Sequence, residues 1–180
     1  MSNLTLCGFL DCFDLTASLR DKANLFKPVE AGEHVFPIRW DDGGTWKRTR
    51  LWQKWAELRN VVSRIQRRGS EVVGPLDFGR IFFEMVPAGV TLPWRSEGGG
   101  YWDHHMRLHL PLRTNPAAFL HFPTEMHHLL PGTLHIVNVT AQHAATNAGE
   151  WPRVHLVVDL RRKAEETDAP AERQGGSPHD

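Results

Sequence analysis

Between Thr91 and Leu112 the chain reads TLPWRSEGGGYWDHHMRLHLPL: three histidines, two arginines and two acids around a glycine run. Such groups are costly to bury unless they are paired or bound to something, so their concentration points to a site. Imidazole suits iron, zinc, copper and nickel, and eight of the eleven histidines lie between His104 and His143. The strongest zinc signatures are missing, with neither an HExxH helix nor a pair of CxxC knuckles. His121 in AAFLHFP, and His127 and His128 in PTEMHHLLPG, read as core or surface histidines. His143, in NVTAQHAATN, carries more weight, because Arg153 follows ten residues later on the next strand. In that arrangement the imidazole can hold a metal while the guanidinium grips a carboxylate with two parallel donors.

The elements that must position these groups are short strands. GRIFFEMVPAG, HMRLHLPLRT, AAFLHFP, TLHIVNV and RVHLVVDLR are rich in β-branched and aromatic residues, and turn signals separate them. That spacing predicts a sandwich or barrel. In MRLHLPL, Met106, Leu108 and Leu110 face one way and Arg107 and His109 the other. In PRVHLVVDL, Val154, Leu156, Val158 and Leu160 oppose Arg153, His155 and Asp159. These polar faces line a pocket if they point inward and are ordinary solvated side chains if they point out; alternation leaves both open. Earlier, Leu51, Trp52, Trp55, Leu58, Val62 and Ile65 recur at three- and four-residue steps, which predicts one amphipathic helix over 45–68, ended by GSEVVGP. Its other face carries Lys47, Arg48, Arg50, Lys54, Arg59, Arg64, Arg67 and Arg68, read as a solvated basic face, or alternatively as an anion surface. The predicted class is α+β, with N-terminal helices buttressing one face of a β-sandwich.

The chain of 180 residues has room for one domain, placed at 1–162, followed by a charged, Pro- and Gly-containing tail at 163–180 predicted to be disordered. Zero formal net charge argues against a general nucleic-acid binder. Cys7 and Cys12 are too few for a disulfide framework and read as reduced thiols. No cationic region precedes the apolar N-terminal residues and no apolar run reaches membrane-spanning length. The expected location is therefore the cytoplasm, with no membrane partner; the composition leaves the oligomeric state open.

Taken in order, PAGVTLPWRSE, RLHLPLRTNP, PGTLHIVNVTAQHAATN and PRVHLVVDL resemble the aspartyl/asparaginyl β-hydroxylase family, over roughly 79–161. The resemblance implies a double-stranded β-helix (a cupin-like jelly roll). It implies Fe(II) and 2-oxoglutarate as cofactors. It also implies hydroxylation or a related oxidation of an amino acid or other carboxylate-bearing small molecule, free or on a carrier, as in natural-product biosynthesis. Residue by residue, it implies that Arg107 and His109 contact 2-oxoglutarate or substrate, that His143 is the second iron ligand, and that Arg153 holds the distal carboxylate of 2-oxoglutarate.

The first iron motif departs from the pattern. Where the family has Pro-His-X-Asp, this chain has Pro93-Trp94-Arg95-Ser96; sliding by one residue brings Arg95 and Glu97 there instead. Neither register supplies a histidine, an indole N–H is a donor only, and arginine stays protonated. Three readings follow. In the first, the glycine run bends so that His105, or its neighbours Asp103 or His104, joins Glu97 and His143 in a substituted metal site. In the second, iron is lost and Arg107, His109, Arg153 and His155 form a cationic cavity for a redox-neutral isomerisation or cyclisation. His143 or His109 then acts as acid or base, and Trp94 and Trp102 are the walls. In the third, the chain is a binding module whose basic helix is the partner surface.

Overall fold

The computed structural model describes residues 2–29, 32–42 and 45–163. Along it run β1 (Leu4–Phe9), α1 (Phe13–Leu19), a 3-10 turn (Arg20–Leu25), β2 (Lys27–Pro28), β3 (His34–Asp42), β4 (Thr45–Arg48), α2 (Leu51–Lys54) and α3 (Ala56–Val73). There follow β5 (Leu76–Val86), β6 (Val90–Arg95), β7 (His105–Arg113), β8 (Ala118–Phe122), β9 (Glu125–His127), β10 (Thr133–Val137), β11 (His143–Asn147) and β12 (Arg153–Arg162). Among the described residues these strands form two antiparallel sheets. The larger has the order β1-β10-β7-β12-β5-β3-β2 with β4 on β3, and the smaller has the order β6-β11-β8-β9.

Strand periodicity decides which face meets what. Ile81, Phe83, Leu108, Leu110, Leu156, Val158 and Leu160 turn one face of the larger sheet toward Leu15, Leu19, Leu58, Val61, Val62 and Ile65 of α1 and α3. Trp55, in the break between α2 and α3, stacks on Phe83 at 5.4 Å between ring centroids. The opposite face of the larger sheet meets the smaller sheet, where Leu120, Phe122, Val137 and Val139 form a second cluster. The first eight residues of β12 are all buried, because both of its faces are covered. The polar faces of β7 and β12 therefore point inward. The result is an α+β jelly roll with helices against one sheet.

Two local expectations are corrected. The helix predicted over 45–68 is three pieces. Thr45–Arg48 is β4, whose backbone pairs with β3, and the chain then breaks at Trp55 before α3. Strand pairing at a free sheet edge overrides the helical spacing there. The helix does end within GSEVVGP, but later than Arg68: α3 runs on through Gly69 to Val73 and stops at Gly74, and a Cβ on Gly69 would press on Leu76, Leu160 and Leu108, so the helix lies close to the sheet there. The basic face of α3 partly ties the fold together: Arg64 donates to the Asp11 carbonyl at 2.9 Å and Arg59 to the Trp52 carbonyl at 2.8 Å. The first half also supplies strands, β1 and β3 among them, where the sequence points to helices alone. The predicted tail lies outside the described residues beyond Lys163. Both cysteines are free thiols, and among the described residues no helix is long and apolar enough to cross a membrane.

A second close approach yields a test. A Cβ on Gly79 of β5 would lie 2.7 Å from the Tyr101 hydroxyl, 2.8 Å from His105 Cδ2 and 2.9 Å from the Asp159 carbonyl oxygen. The last is backbone and cannot swing away. Gly79→Ala is expected to destabilise by about 1–3 kcal/mol through overpacking, lowering the thermal midpoint by roughly 3–10 °C for a chain of this size. An unchanged midpoint in a heating scan would mean that Tyr101 and its loop are not packed against β5.

Candidate functional site

Six charged or titratable residues converge between the sheets. Glu84 comes from β5, Arg95 from β6, Arg107 and His109 from β7, His143 from β11 and Arg153 from β12, and all six line one cavity. Its walls are completed by apolar residues such as Leu92, Leu120, Val137 and Val139. The free volume is only ≈ 20 Å³, room for about one water molecule. A wider cleft of ≈ 960 Å³ borders it and shares Arg107, Val137 and Val139. Arg107 thus stands at the junction, with the Trp102 ring 4.8 Å from its guanidinium carbon on the cleft side.

Each guanidinium has a carboxylate partner. Arg107 binds Asp159 with two donors, Nε at 2.8 Å from Oδ1 and Nη2 at 3.0 Å from Oδ2, and Glu97 lies 3.7 Å from its Nη1. Burial opposes the Arg107 charge, but Asp159 outweighs it and raises the pKa. Arg153 is bonded through Nη2 to Glu84, while its Nε is buried with no partner. Glu84 is almost fully buried, which by itself would raise its pKa; Arg153, His109, Arg95 and Arg107 reverse this and bring it down to about 2. Arg95 donates to Glu33 at 2.9 Å. Burial and the nearby charge of Glu84 push the Glu33 carboxyl up while Arg95 pulls it down, and the short contact favours the ion pair.

The imidazoles are neutral. Burial lowers the pKa of His109 to about 3, with Arg107 and Arg153 adding to the effect. Burial and Arg95 likewise lower that of His143. His143 Nδ1 lies 2.9 Å from the Ala141 carbonyl, which can only accept, so Nδ1 carries the proton and Nε2 keeps its lone pair. His109 Nδ1 meets His155 Nδ1 at 3.2 Å, and the far nitrogen of His155 is buried with no partner. The site can therefore bind anions through guanidinium groups and accept protons at imidazole nitrogens.

The residues expected to act together divide. Arg107, His109, His143 and Arg153 do reach one cavity. His105 does not. Its ring stacks on Tyr101 at 3.8 Å, its Nδ1 bonds the Tyr101 carbonyl at 2.7 Å, and it lines the wider cleft. Glu97 is turned to Arg107, and Asp103 and His104 line the wider cleft, so the glycine run does not fold back toward His143. Trp94 is 52 % exposed and is no wall of the cavity. Glu84 escapes a reading of the sequence, although an acid inside the apolar run IFFEMV is a signal.

The donor set does not fit the family's iron. A non-haem Fe(II) site needs two imidazoles and a carboxylate aimed at one point. Among the described residues no three His, Cys, Asp or Glu side chains are placed to hold a metal ion. The expected set of His143, Glu97 and His105 is not brought together: His105 is pinned by Tyr101 and Glu97 is drawn to Arg107. The register of β6 and β11 sets Arg95 opposite His143.

Comparison with known proteins agrees with this architecture. A model of the family described as Aspartyl/Asparaginyl beta-hydroxylase matches residues 15–163. No curated protein sequence matches the chain. Among solved structures, an oxidoreductase of the 2OG-Fe(II) oxygenase family from Burkholderia pseudomallei is similar with a TM-score of 0.67 at 14% identity, over 89% of this chain and 86% of that one. SnoN, a non-heme alpha ketoglutarate dependent epimerase from nogalamycin biosynthesis, gives 0.64 at 12% identity over 99% and 88%. A Pseudomonas putida prolyl-4-hydroxylase gives 0.55 at 17% identity over 90% and 94%. At these identities the likeness concerns the fold. With the family match spanning most of its length, the chain belongs to the aspartyl/asparaginyl β-hydroxylase family and has the jelly roll of the 2-oxoglutarate- and Fe(II)-dependent oxygenases.

Proposed function

We propose that this oxygenase-like protein is an enzyme that holds a carboxylate-bearing small molecule, such as an amino acid, in the wider cleft with its carboxylate directed into the polar cavity between the sheets. One observation carries the reading: three guanidinium groups and two neutral imidazoles converge on a single enclosed space. Arginine is suited to grip a carboxylate with paired donors, and Arg153 has a buried Nε to offer. A ligand carboxylate would share or take over the contact that Glu84 now makes. His143 Nε2 is free to accept a proton, which is the work of a general base. The residues as they stand supply anion binding and proton transfer, which suffice for a redox-neutral reaction. The wider cleft at Arg107 is the approach for a substrate, free or tethered to a carrier.

A second reading is hydroxylation, the activity of the family. It is favoured by the resemblance, which makes His143 the second iron histidine and Arg153 the 2-oxoglutarate arginine, and by their sharing one cavity. It would require Glu97 and a further donor to rearrange around His143.

The test is a thermal-shift panel with 2-oxoglutarate, succinate and free amino acids. A carboxylate held at a hundred times its dissociation constant is expected to stabilise by about 2.7 kcal/mol, or roughly 5–10 °C here. The double variant Glu84→Gln/Arg153→Gln removes the ion pair without stranding a charge and is expected to lose that shift. If no carboxylate moves the midpoint, or the double variant responds as before, the cavity is not a carboxylate site. Consumption of O₂ with 2-oxoglutarate that stops in His143→Ala would establish the second reading instead.

A further inference from the structure

We propose that the Arg95 guanidinium takes the place of the family's metal ion, so that the cavity works with a cation borne by the protein itself. The inference rests on the reading that this cavity is the functional site. It begins with strand register. β6 and β11 pair antiparallel with Arg95 opposite His143, and both residues line the cavity. Across from His143, which the resemblance makes an iron ligand, the chain puts a permanent positive charge instead of a second imidazole.

The charge is anchored rather than free to swing out. Glu33 is 6% exposed and accepts from Arg95 Nη1 at 2.9 Å, while Arg95 itself is only partly buried. Glu84, at the cavity wall, is a second buried carboxylate close enough to act on Arg95. A divalent ion beside His143 would draw on such carboxylates for ligands; here they are committed to Arg95 and Arg153. Glu97, two residues after Arg95 and the last acid of the motif, is drawn to Arg107. The guanidinium has five N–H donors and no lone pair to give a metal, and it repels an incoming cation. What it retains of the metal's role is positive charge beside the substrate, which holds an anion or stabilises one as it forms. What it cannot retain is the ability to bind and activate O₂.

The experiment uses the full chain, stripped with EDTA and titrated with Co(II) and Ni(II). Binding is read by equilibrium dialysis with elemental analysis, by the Co(II) visible spectrum and by melting temperature. The wild type is expected to take up no stoichiometric metal and to show no shift. Arg95→His places an imidazole across from His143 with Glu97 two residues on, and is expected to gain one Co(II) per chain, at least tenfold tighter than the wild type. One equivalent of metal bound by the wild type and lost in His143→Ala would overturn the proposal. So would a folded Arg95→His that binds metal no better than the wild type. Should Arg95→His fail to fold because Glu33 is left unpaired, Glu33→Gln/Arg95→His is titrated in its stead: a gain of Co(II) supports the proposal, and no gain overturns it. Metal uptake is measured without any carboxylate, so its outcome is separate from that of the ligand panel: either can fail while the other stands.

Discussion

Asp159→Ala is expected to destabilise the protein by about 3–5 kcal/mol, because it strands a buried guanidinium. Asp159 is fully buried and takes both donors of Arg107, itself 7% exposed. It also lies 3.2 Å from the Tyr101 hydroxyl, which in turn accepts from the Arg80 backbone N–H. Truncation thus removes the partner of one buried charge and loosens the Tyr101 loop that covers β5. Glu97, at 3.7 Å and a third exposed, is too far to compensate fully. For a chain of this length the loss corresponds to roughly 6–20 °C in thermal midpoint. Replacing both partners, as in Arg107→Met/Asp159→Leu, should recover most of it, since an apolar pair of similar volume has no charge to desolvate. Urea unfolding of Arg107→Met, Asp159→Leu and the double variant closes the cycle. A single-variant loss below about 1 kcal/mol would mean that water reaches Arg107 from the wider cleft and solvates it.

Acidification is expected to remove stability steeply below neutral pH, on account of the buried imidazoles and Glu84. The folded His109 has its pKa lowered to about 3 from an ordinary 6.5 by burial, and His155 is lowered well below the same value for the same reason. Between those values the unfolded chain binds protons that the folded chain refuses, so stability rises with pH through the window. The contribution is fully present above about pH 6.5 and is lost as pH falls toward 3. At 1.36 kcal/mol per unit, His109 alone sets an upper bound of about 5 kcal/mol. Glu84, lowered to about 2, adds in the same direction: its share is present above 4.5 and disappears as pH falls toward 2. With typical stabilities of about 5–15 kcal/mol, acid unfolding is expected near pH 4 to 5. His109→Gln should flatten the dependence of urea midpoint on pH between 6.5 and 4. An unaltered slope in that variant, or a flat profile in the wild type, would contradict a neutral, water-excluded imidazole at 109.

Much of the site was legible because its signals are local. Two-residue alternation in MRLHLPL and PRVHLVVDL already placed Arg107 with His109 and Arg153 with His155 on single faces. The order of the resembling segments pointed to His143, which lines the same cavity. Short strands and turn signals pointed to a sandwich or barrel, the family resemblance narrowed this to a jelly roll, and the family match over residues 15–163 agrees with it. The helix over 45–68 misled for the opposite reason. Spacing reports an apolar stripe, while Thr45–Arg48 was drawn into a hairpin with β3, the strand just before it, and α3 passes Gly69 at a close approach to the sheet that periodicity does not report.

By itself, then, the sequence determined the strand faces, the fold class and the set of polar residues available to a site, all of which depend on neighbours a few positions apart. Tertiary structure alone decided which of those residues meet. The pairing of Arg95 with His143 depends on the register between strands 48 positions apart in the chain, and the union of Glu84 with Arg153 on two strands that only the folded sheet makes adjacent. Charge partners are chosen by distance in space, and a Coulomb interaction between buried groups is strong over a few ångströms whatever the separation along the chain. For that reason the arginines and histidines could be named in advance, and the absence of a metal-holding triad among the described residues could not.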